Sequence, residues 1–316
     1  GGSAARAAAR AAAAAAAAPT SRPAPLSARN AAPGSKTPRP TTAGPKSGGA
    51  ATAAKKEKAA AKDTKEWAEP PLPASEDLEQ AWETEGLLAE DMQAQLADKN
   101  WALRLEAVGA LDEAAAALPA ERKGPLQAEL LLWRLQQQPG AAETNLKVQA
   151  KVLETLQHAA QGWALLPRRS AARLLALATE KLATKQTKPA AAEALLAVAE
   201  ACSATWTFGK VRDAALAHKS PKVLAEALGW AREALEAFSL QALPARELAD
   251  FALGALDARD PQVREQALQL LVALQRAVGP SLLTSPLLKP LKEAARKALT
   301  DAVAKLPLEQ AGMPPP

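Results

Sequence analysis

The chain has 316 residues, 48% hydrophobic but only 3% aromatic, with no Tyr, seven Trp and a formal net charge of +5. Alanine supplies much of the apolar count and Ile is absent. That argues against a β-rich core and for an all-α class, because Ala, Leu, Glu, Lys, Arg and Gln lose little rotamer freedom in a helix. The single cysteine, Cys202, excludes a disulfide framework or a cysteine metal site within one chain and fits a reducing compartment.

Residues 1–65 are Ala, Pro, Gly, Ser, Thr and Lys, with no aromatic side chain and an isolated Leu26. Such a segment buries too little apolar surface to offset its ordering entropy, so a disordered basic linker is expected over residues 1–80, with alanine-rich helix flickering at Arg6–Ala18. Residues 1–66 hold twelve Lys/Arg against three Asp/Glu, or +9, which leaves the remainder near −4 (5 − 9). The basic character therefore belongs to the tail. The alanine tract near the start is weakly hydrophobic and bounded by Arg and Pro. No other stretch approaches the roughly twenty uncharged apolar residues of a membrane span. The chain begins Gly-Gly-Ser rather than Met and reads as a fragment of something longer, from which a targeting signal could be missing.

From about Leu87 apolar residues recur at i, i+3, i+4 and i+7 in segments separated by short breaks rich in Pro, Gly, Asp, Asn and Lys. This pattern predicts a succession of amphipathic helices. Five segments align: DKNWALRLEAVGAL, ETNLKVQAKVLETL, KQTKPAAAEALLAV, HKSPKVLAEALGWA and ARDPQVREQALQLL. With Ala107, Val152, Ala194, Ala227 and Ala267 as the equivalent position, the spacings are 45, 42, 33 and 40. Two helices per unit at that period indicate HEAT or armadillo repeats. The partner helices read as GLLAEDMQAQLA, GPLQAELLLWRLQ, RRSAARLLALATEKLA, TFGKVRDAALA and PARELADFALGALD. A sixth pair closes with PLLKPLKEAARKALTDAVAKL. The expected fold is an α-solenoid of about six HEAT repeats over residues 85–306, with a second linker starting at 307–316. In the clearest turn, DARDPQVREQA, Asp260 is placed to cap the helix and Pro261 to open it.

Catalytic parts are missing. His158 and His218 lie on different repeats, and neither has a carboxylate or Cys at a ligand-like offset on its own helix. There is no phosphate-binding Gly-rich loop and no GxSxG elbow, and the acidic pairs are scattered over helix exteriors. No enzyme activity, cofactor or metal is expected.

What remains is an edge. In a solenoid each repeat contacts its neighbours, so equivalent turns line up. The turns inside the helix pairs carry Lys99-Asn100-Trp101, Asn145 and Lys147, Lys185 and Lys188, Lys219 and Lys222, and Arg259-Asp260. One such lysine is ordinarily a solvated turn charge, but five turns that agree on a slightly acidic domain point to a large acidic partner. Trp101, after three polar residues, is the expected apolar anchor, whereas Trp133, Trp163, Trp206 and Trp230 lie in or beside apolar runs and read as core. Arg104 and Arg264 hold matching places and suit bracing of their turns.

The run LADKNWALRLEAV, with a Trp opening the second helix of the first pair, resembles the TOG domain of the TOG-family microtubule polymerases. The likeness continues in order through PGAAETNLKVQAKVLETL, AEALLAVAEACSATWTFGKV, AHKSPKVLAEALGWAREALEAF and LDARDPQVREQALQLLVALQRAVGPSL, over residues 87–305. ETNLKVQ, the AEAC-x3-W run at Glu200–Trp206 and the closing VGPSL are most similar to the third TOG domain of such an array. The third turn, KQTKPAAAEA, is more Lys- and Ala-rich than the family pattern.

The resemblance implies a flat paddle whose intra-repeat turns grip the α/β-tubulin heterodimer. Trp101 with its neighbours Lys99 and Asn100 would lie on β-tubulin, followed by Asn145 and Lys147, Lys185 and Lys188, Lys219 and Lys222, then Arg259 and Arg264 toward α-tubulin. It implies a module of a protein that promotes microtubule polymerisation at the spindle, centrosome and cytoplasmic cytoskeleton. The partners implied are tubulin, the microtubule lattice and other microtubule-associated proteins, without nucleic acid or membrane. The basic linker would add attraction for the lattice. The alternative is a HEAT scaffold that holds another protein on its concave face. Nucleic-acid binding through the tail lacks the aromatic interleaving that base stacking uses.

Overall fold

The computed structural model describes residues 73–85, 87–140, 143–163, 165–289 and 291–304. The linker readings for residues 1–72 and 307–316, with the helix expected at Arg6–Ala18, lie outside the described residues. Among the described residues there is no strand, and the helices follow one another in pairs.

After α1 (Ser75–Glu85) come α2 (Glu90–Gln95) with α3 (Trp101–Ala117), and α4 (Pro125–Leu135) with α5 (Leu146–Gly162). They are followed by α6 (Arg168–Lys181) with α7 (Lys188–Ala201), α8 (Ala204–Ala217) with α9 (Pro221–Ala242), and α10 (Ala245–Ala255) with α11 (Pro261–Val278). The short α12 (Ser281–Thr284) and α13 (Glu293–Ala304) complete a sixth unit.

The HEAT-type repeat is present, in the expected register. Ala107, Val152, Ala194, Ala227 and Ala267 are at most 2% exposed. At these positions the small side chains let second helices approach closely, α5 packing between α3 and α7 and α11 against α9. The first helices form the other layer, with α6 touching α4 and α8. Between the layers runs a continuous leucine and alanine core, each fully buried Leu contributing about 1.5–3 kcal/mol. Gly279, at φ 90, ends α11 in a left-handed conformation that side chains rarely adopt.

Charged pairs tie each repeat to the next. Arg104 meets Glu143, Lys151 meets Asp112, Arg169 meets Glu129 and Arg212 meets Glu247, at 2.6–3.0 Å and 35–40 residues apart in the chain. The Glu129 and Glu143 carboxylates are nearly inaccessible, so these two links specify register strongly. The Lys292–Asp257 pair is about 70% exposed on both sides and adds little.

One expectation is corrected. The linker reading does not hold over residues 75–80, because α1 starts at Ser75 and buries Leu78 and Trp82. The Trp82 ring lies 6.5 Å from that of Trp133, under the Arg134 guanidinium at 5.4 Å, and its Nε1 donates to Gln93 Oε1 at 2.9 Å. Two apolar residues one turn apart suffice here because a prepared aromatic partner waits on α4. Burial lowers the pKa of Arg134, so the indole face and the nearby Glu79 are its compensation.

Candidate functional site

In four of the five turns inside the pairs a side chain near the cap accepts from backbone N–H groups, whereas in the third Thr187 Oγ1 donates to Lys181 O at 2.9 Å. In the first, Leu96 is fully buried and roots the turn. Asp98 Oδ1 accepts from Asn100 N at 2.6 Å, and Asn100 Oδ1 accepts from Ala102 N at 3.0 Å, capping α3. In the second, Glu143 Oε1 accepts from Asn145 N at 2.6 Å, and Asn145 Oδ1 accepts from Lys147 N and Val148 N at 2.9 and 3.4 Å. In the fourth, His218 Nδ1 accepts from Ser220 N at 3.0 Å. In the fifth, Asp260 Oδ1 caps α11 through Gln262 N and Val263 N at 2.8 and 3.3 Å. Asn100 and Asn145, expected as contact residues, therefore have their carbonyl oxygens committed to capping.

The arginines brace as their positions suggest. Arg104 Nη1 donates to Asp98 O and Lys99 O at 2.7 and 3.1 Å. Arg264 Nη1 donates to Ala258 O and Arg259 O, both at 2.8 Å. The contact expected of Arg264 is thus left to its remaining nitrogens, since Nη1 is held by its own turn.

Trp101 is 40% exposed, one of four large hydrophobic side chains so exposed among the described residues. Trp133, Trp163 and Trp230 are buried and Trp206 half-buried, as their apolar settings predict. The Lys147 ammonium sits over the Trp101 ring at 5.2 Å, so the first two turns present an aromatic and a cation as one unit. Lys188 Nζ reaches Glu226 Oε2 on α9 at 2.6 Å, which links the third turn to the helix after the fourth and removes most of its free charge. The side chains of Lys99, Lys185, Lys219, Lys222 and Arg259 are exposed and make no hydrogen bond or ion pair among the described residues. Side-chain links thus join the first turn to the second, the third turn to the helix after the fourth, and the fifth turn to the sixth unit through Lys292 and Asp257, while helix packing joins the rest: the edge is continuous.

Two edge features escaped the sequence reading. Leu216, at the end of α8, is 59% exposed shortly before Lys219 in the chain, whereas Leu96, also four residues before its cap, is 0% exposed. Leu216 lies within α8 off the face that buries Phe208, Val211 and Ala215, whereas Leu96 follows the end of α2 and turns inward. The other is Glu143, buried beneath the second turn. Its signal was visible as Glu-x-Asn at 143–145 matching Asp-x-Asn at 98–100.

Glu143 is electrostatically the most constrained group of the edge. Burial pushes its pKa up. The Arg104 fork, with Nε and Nη2 at 2.6 and 2.8 Å, and the N–H groups of Asn145 and Thr144 outweigh burial and hold it below the ordinary carboxylate value. A depressed carboxylate contributes stability above its unfolded pKa and loses it as pH falls through the folded value. A carbon-13 carboxyl titration should therefore place Glu143 below a free glutamate. In Arg104→Met, where burial is opposed only by the Asn145 and Thr144 N–H groups, the same titration should move upward from its wild-type value. An unchanged value in the variant would show that the fork is not what holds it.

His158 Nδ1 meets Asp112 at 2.9 Å, on the carboxylate that also takes Lys151 at 2.7 Å. It is an exposed residue of α5 paired with Asp112 of α3. Among the described residues no group of three or more His, Cys, Asp or Glu could hold a metal. No helix among them is long and apolar enough to cross a membrane.

A sequence model of the XMAP215/Dis1/CLASP TOG domain family matches residues 89–303. Protein MOR1 of Arabidopsis thaliana is 30% identical over 222 residues, which is 70% of this chain and 11% of that protein. Protein mini spindles of Drosophila melanogaster is 30% identical over 201 residues, 63% of this chain and 10% of that protein. Among solved structures, TOG3 of Drosophila melanogaster Mini spindles is similar with a TM-score of 0.65 and 26% identity, over 72% of this chain and 97% of that one. The chain spans about a tenth of the length of the curated relatives it matches.

Proposed function

The chain belongs to the XMAP215/Dis1/CLASP TOG domain family, and on that premise we propose that its intra-repeat edge binds the α/β-tubulin heterodimer. It acts by binding, not catalysis, as one module of a microtubule-associated protein that promotes microtubule polymerisation in the cytoskeleton and spindle. The observation that carries the reading is the edge itself: Trp101 held under Lys147 at its head, with Lys99, Lys185, Lys219, Lys222 and Arg259 exposed along it and unpaired among the described residues. Unpaired cations on a slightly acidic domain steer an acidic partner and fix its register. An exposed, pinned aromatic supplies apolar contact at low entropic cost. The basic residues 1–66 add a longer-range attraction to the acidic lattice that salt screens.

Gel filtration with purified tubulin tests this. The wild-type domain should comigrate with the heterodimer. Lys219→Glu combined with Lys222→Glu should weaken the complex about 10-fold or more and flatten its salt dependence, as expected for charges acting mainly on association. Normal comigration of that variant would remove the turns from the interface and leave the helix face of the solenoid as the binding surface.

A further inference from the structure

We infer that the first two turns form a single pre-organised docking element and that Arg104 is its positioning residue. The inference rests on the edge being the tubulin-binding surface. Arg104 touches none of the partner-facing side chains, yet it joins both turns. Its Nη1 holds the carbonyls of Asp98 and Lys99, and its Nε and Nη2 grip both oxygens of Glu143. One of those oxygens also accepts the Asn145 N–H, and the Glu143 carbonyl accepts from Gln149 Nε2. Asn145 caps α5 through the Lys147 N–H, and Lys147 returns over Trp101. Contacts run from Arg104 through Glu143, Asn145 and Lys147 to Trp101, and helix α3, which carries both Trp101 and Arg104, closes the ring through the backbone. Within it the Arg104 and Glu143 side chains are 16% and 2% exposed, while the two contact side chains face solvent.

The other turns lack this arrangement. The residue four after the cap is Arg104, Gln149, Ala191, Leu224 or Arg264 in the five turns. Arg264 holds only carbonyls of its own turn, and Ala258 stands where the first turn has Asp98. Of the two arginines at this position, only Arg104 is also seen to grip a carboxylate of the neighbouring turn. A buried bidentate fork fixes both distance and plane, so Trp101 and Lys147 reach a partner already oriented, with less freedom left to lose on binding.

A double-mutant cycle in tubulin affinity reads this directly. Arg104→Ala should weaken binding about 10-fold. In a Trp101→Ala, Lys147→Ala background the same change should cost less than about 2-fold more, because the groups it positions are gone. In a Lys219→Ala, Lys222→Ala background it should again cost the full 10-fold. Equal losses in both backgrounds would mean that Arg104 acts through general stability, and the inference would fall while the tubulin reading stood. If neither background by itself lowers affinity, the edge is not the interface and both fall. Should Arg104→Ala not fold, Glu143→Gln, which keeps an acceptor for Asn145 N–H and loses the charged fork, must show the same selective dependence on Trp101 and Lys147.

Discussion

Replacing Trp101 with glutamate should weaken tubulin binding by about 100-fold and leave the fold intact. Truncating a central aromatic anchor typically removes about 2–4 kcal/mol. A carboxylate in its place also faces an acidic partner and captures the Lys147 ammonium now seated over the ring at 5.2 Å. The protein itself should tolerate the change. Trp101 is 40% exposed and is the first residue of α3, where a negative side chain is favoured by the unsatisfied N–H groups and the helix dipole. Loss of binding with unaltered helicity and melting temperature is the expected signature, read by titration calorimetry and circular dichroism. Normal affinity for Trp101→Glu would overturn the assignment of the turn edge.

The opposite pattern is expected for Trp82→Ala: a large loss of stability with tubulin-facing groups untouched. Trp82 is 2% exposed, packs on Trp133 and Arg134, and donates to Gln93. Its removal leaves a cavity, an unpaired Gln93 carbonyl and a half-buried Arg134 without its aromatic face. Core Trp truncations cost about 3–5 kcal/mol. For a domain of this size that lowers the melting midpoint by roughly 6–20 °C. A shift below about 2 °C would mean that α1 is peripheral and that the domain begins where the family match does, at residue 89.

The two variants mark how far the sequence could be read. The repeat was legible because a solenoid is a local fold: each helix pair shows its own apolar period, its own turn residues and its own small contact residue, and five units agree. The likeness to a third TOG domain, carried by ETNLKVQ and the Glu200–Trp206 run, agrees with the similarity to Mini spindles TOG3. Trp101 was legible because an aromatic after Asp-Lys-Asn breaks the turn pattern. Helix α1 was not, since SEDLEQAWETE shows only Leu78 and Trp82 as buried anchors and the aromatic that makes Trp82 a core residue lies some fifty residues on.

The individual site residues divide in the same way. Exposure of Lys99, Lys185, Lys219, Lys222 and Arg259, and the capping by Asp260, follow from turn chemistry and need no neighbour. Whether a cation is free or already paired depends on the adjacent repeat. Lys188 and Lys222 look alike in their own turns, yet only Lys188 has a carboxylate within 2.6 Å. Leu216 is exposed because it lies off the packed face of α8, and Lys147 lies on Trp101 because Arg104 and Glu143 lock two turns together. The sequence by itself determined the helix class, the repeat, the edge and its sign of charge, because each arises within about one helical pair. Only the tertiary structure decided which edge groups are free, paired or braced. Those outcomes are set by atoms about 40 residues apart, brought within 3 Å by the stacking of repeats.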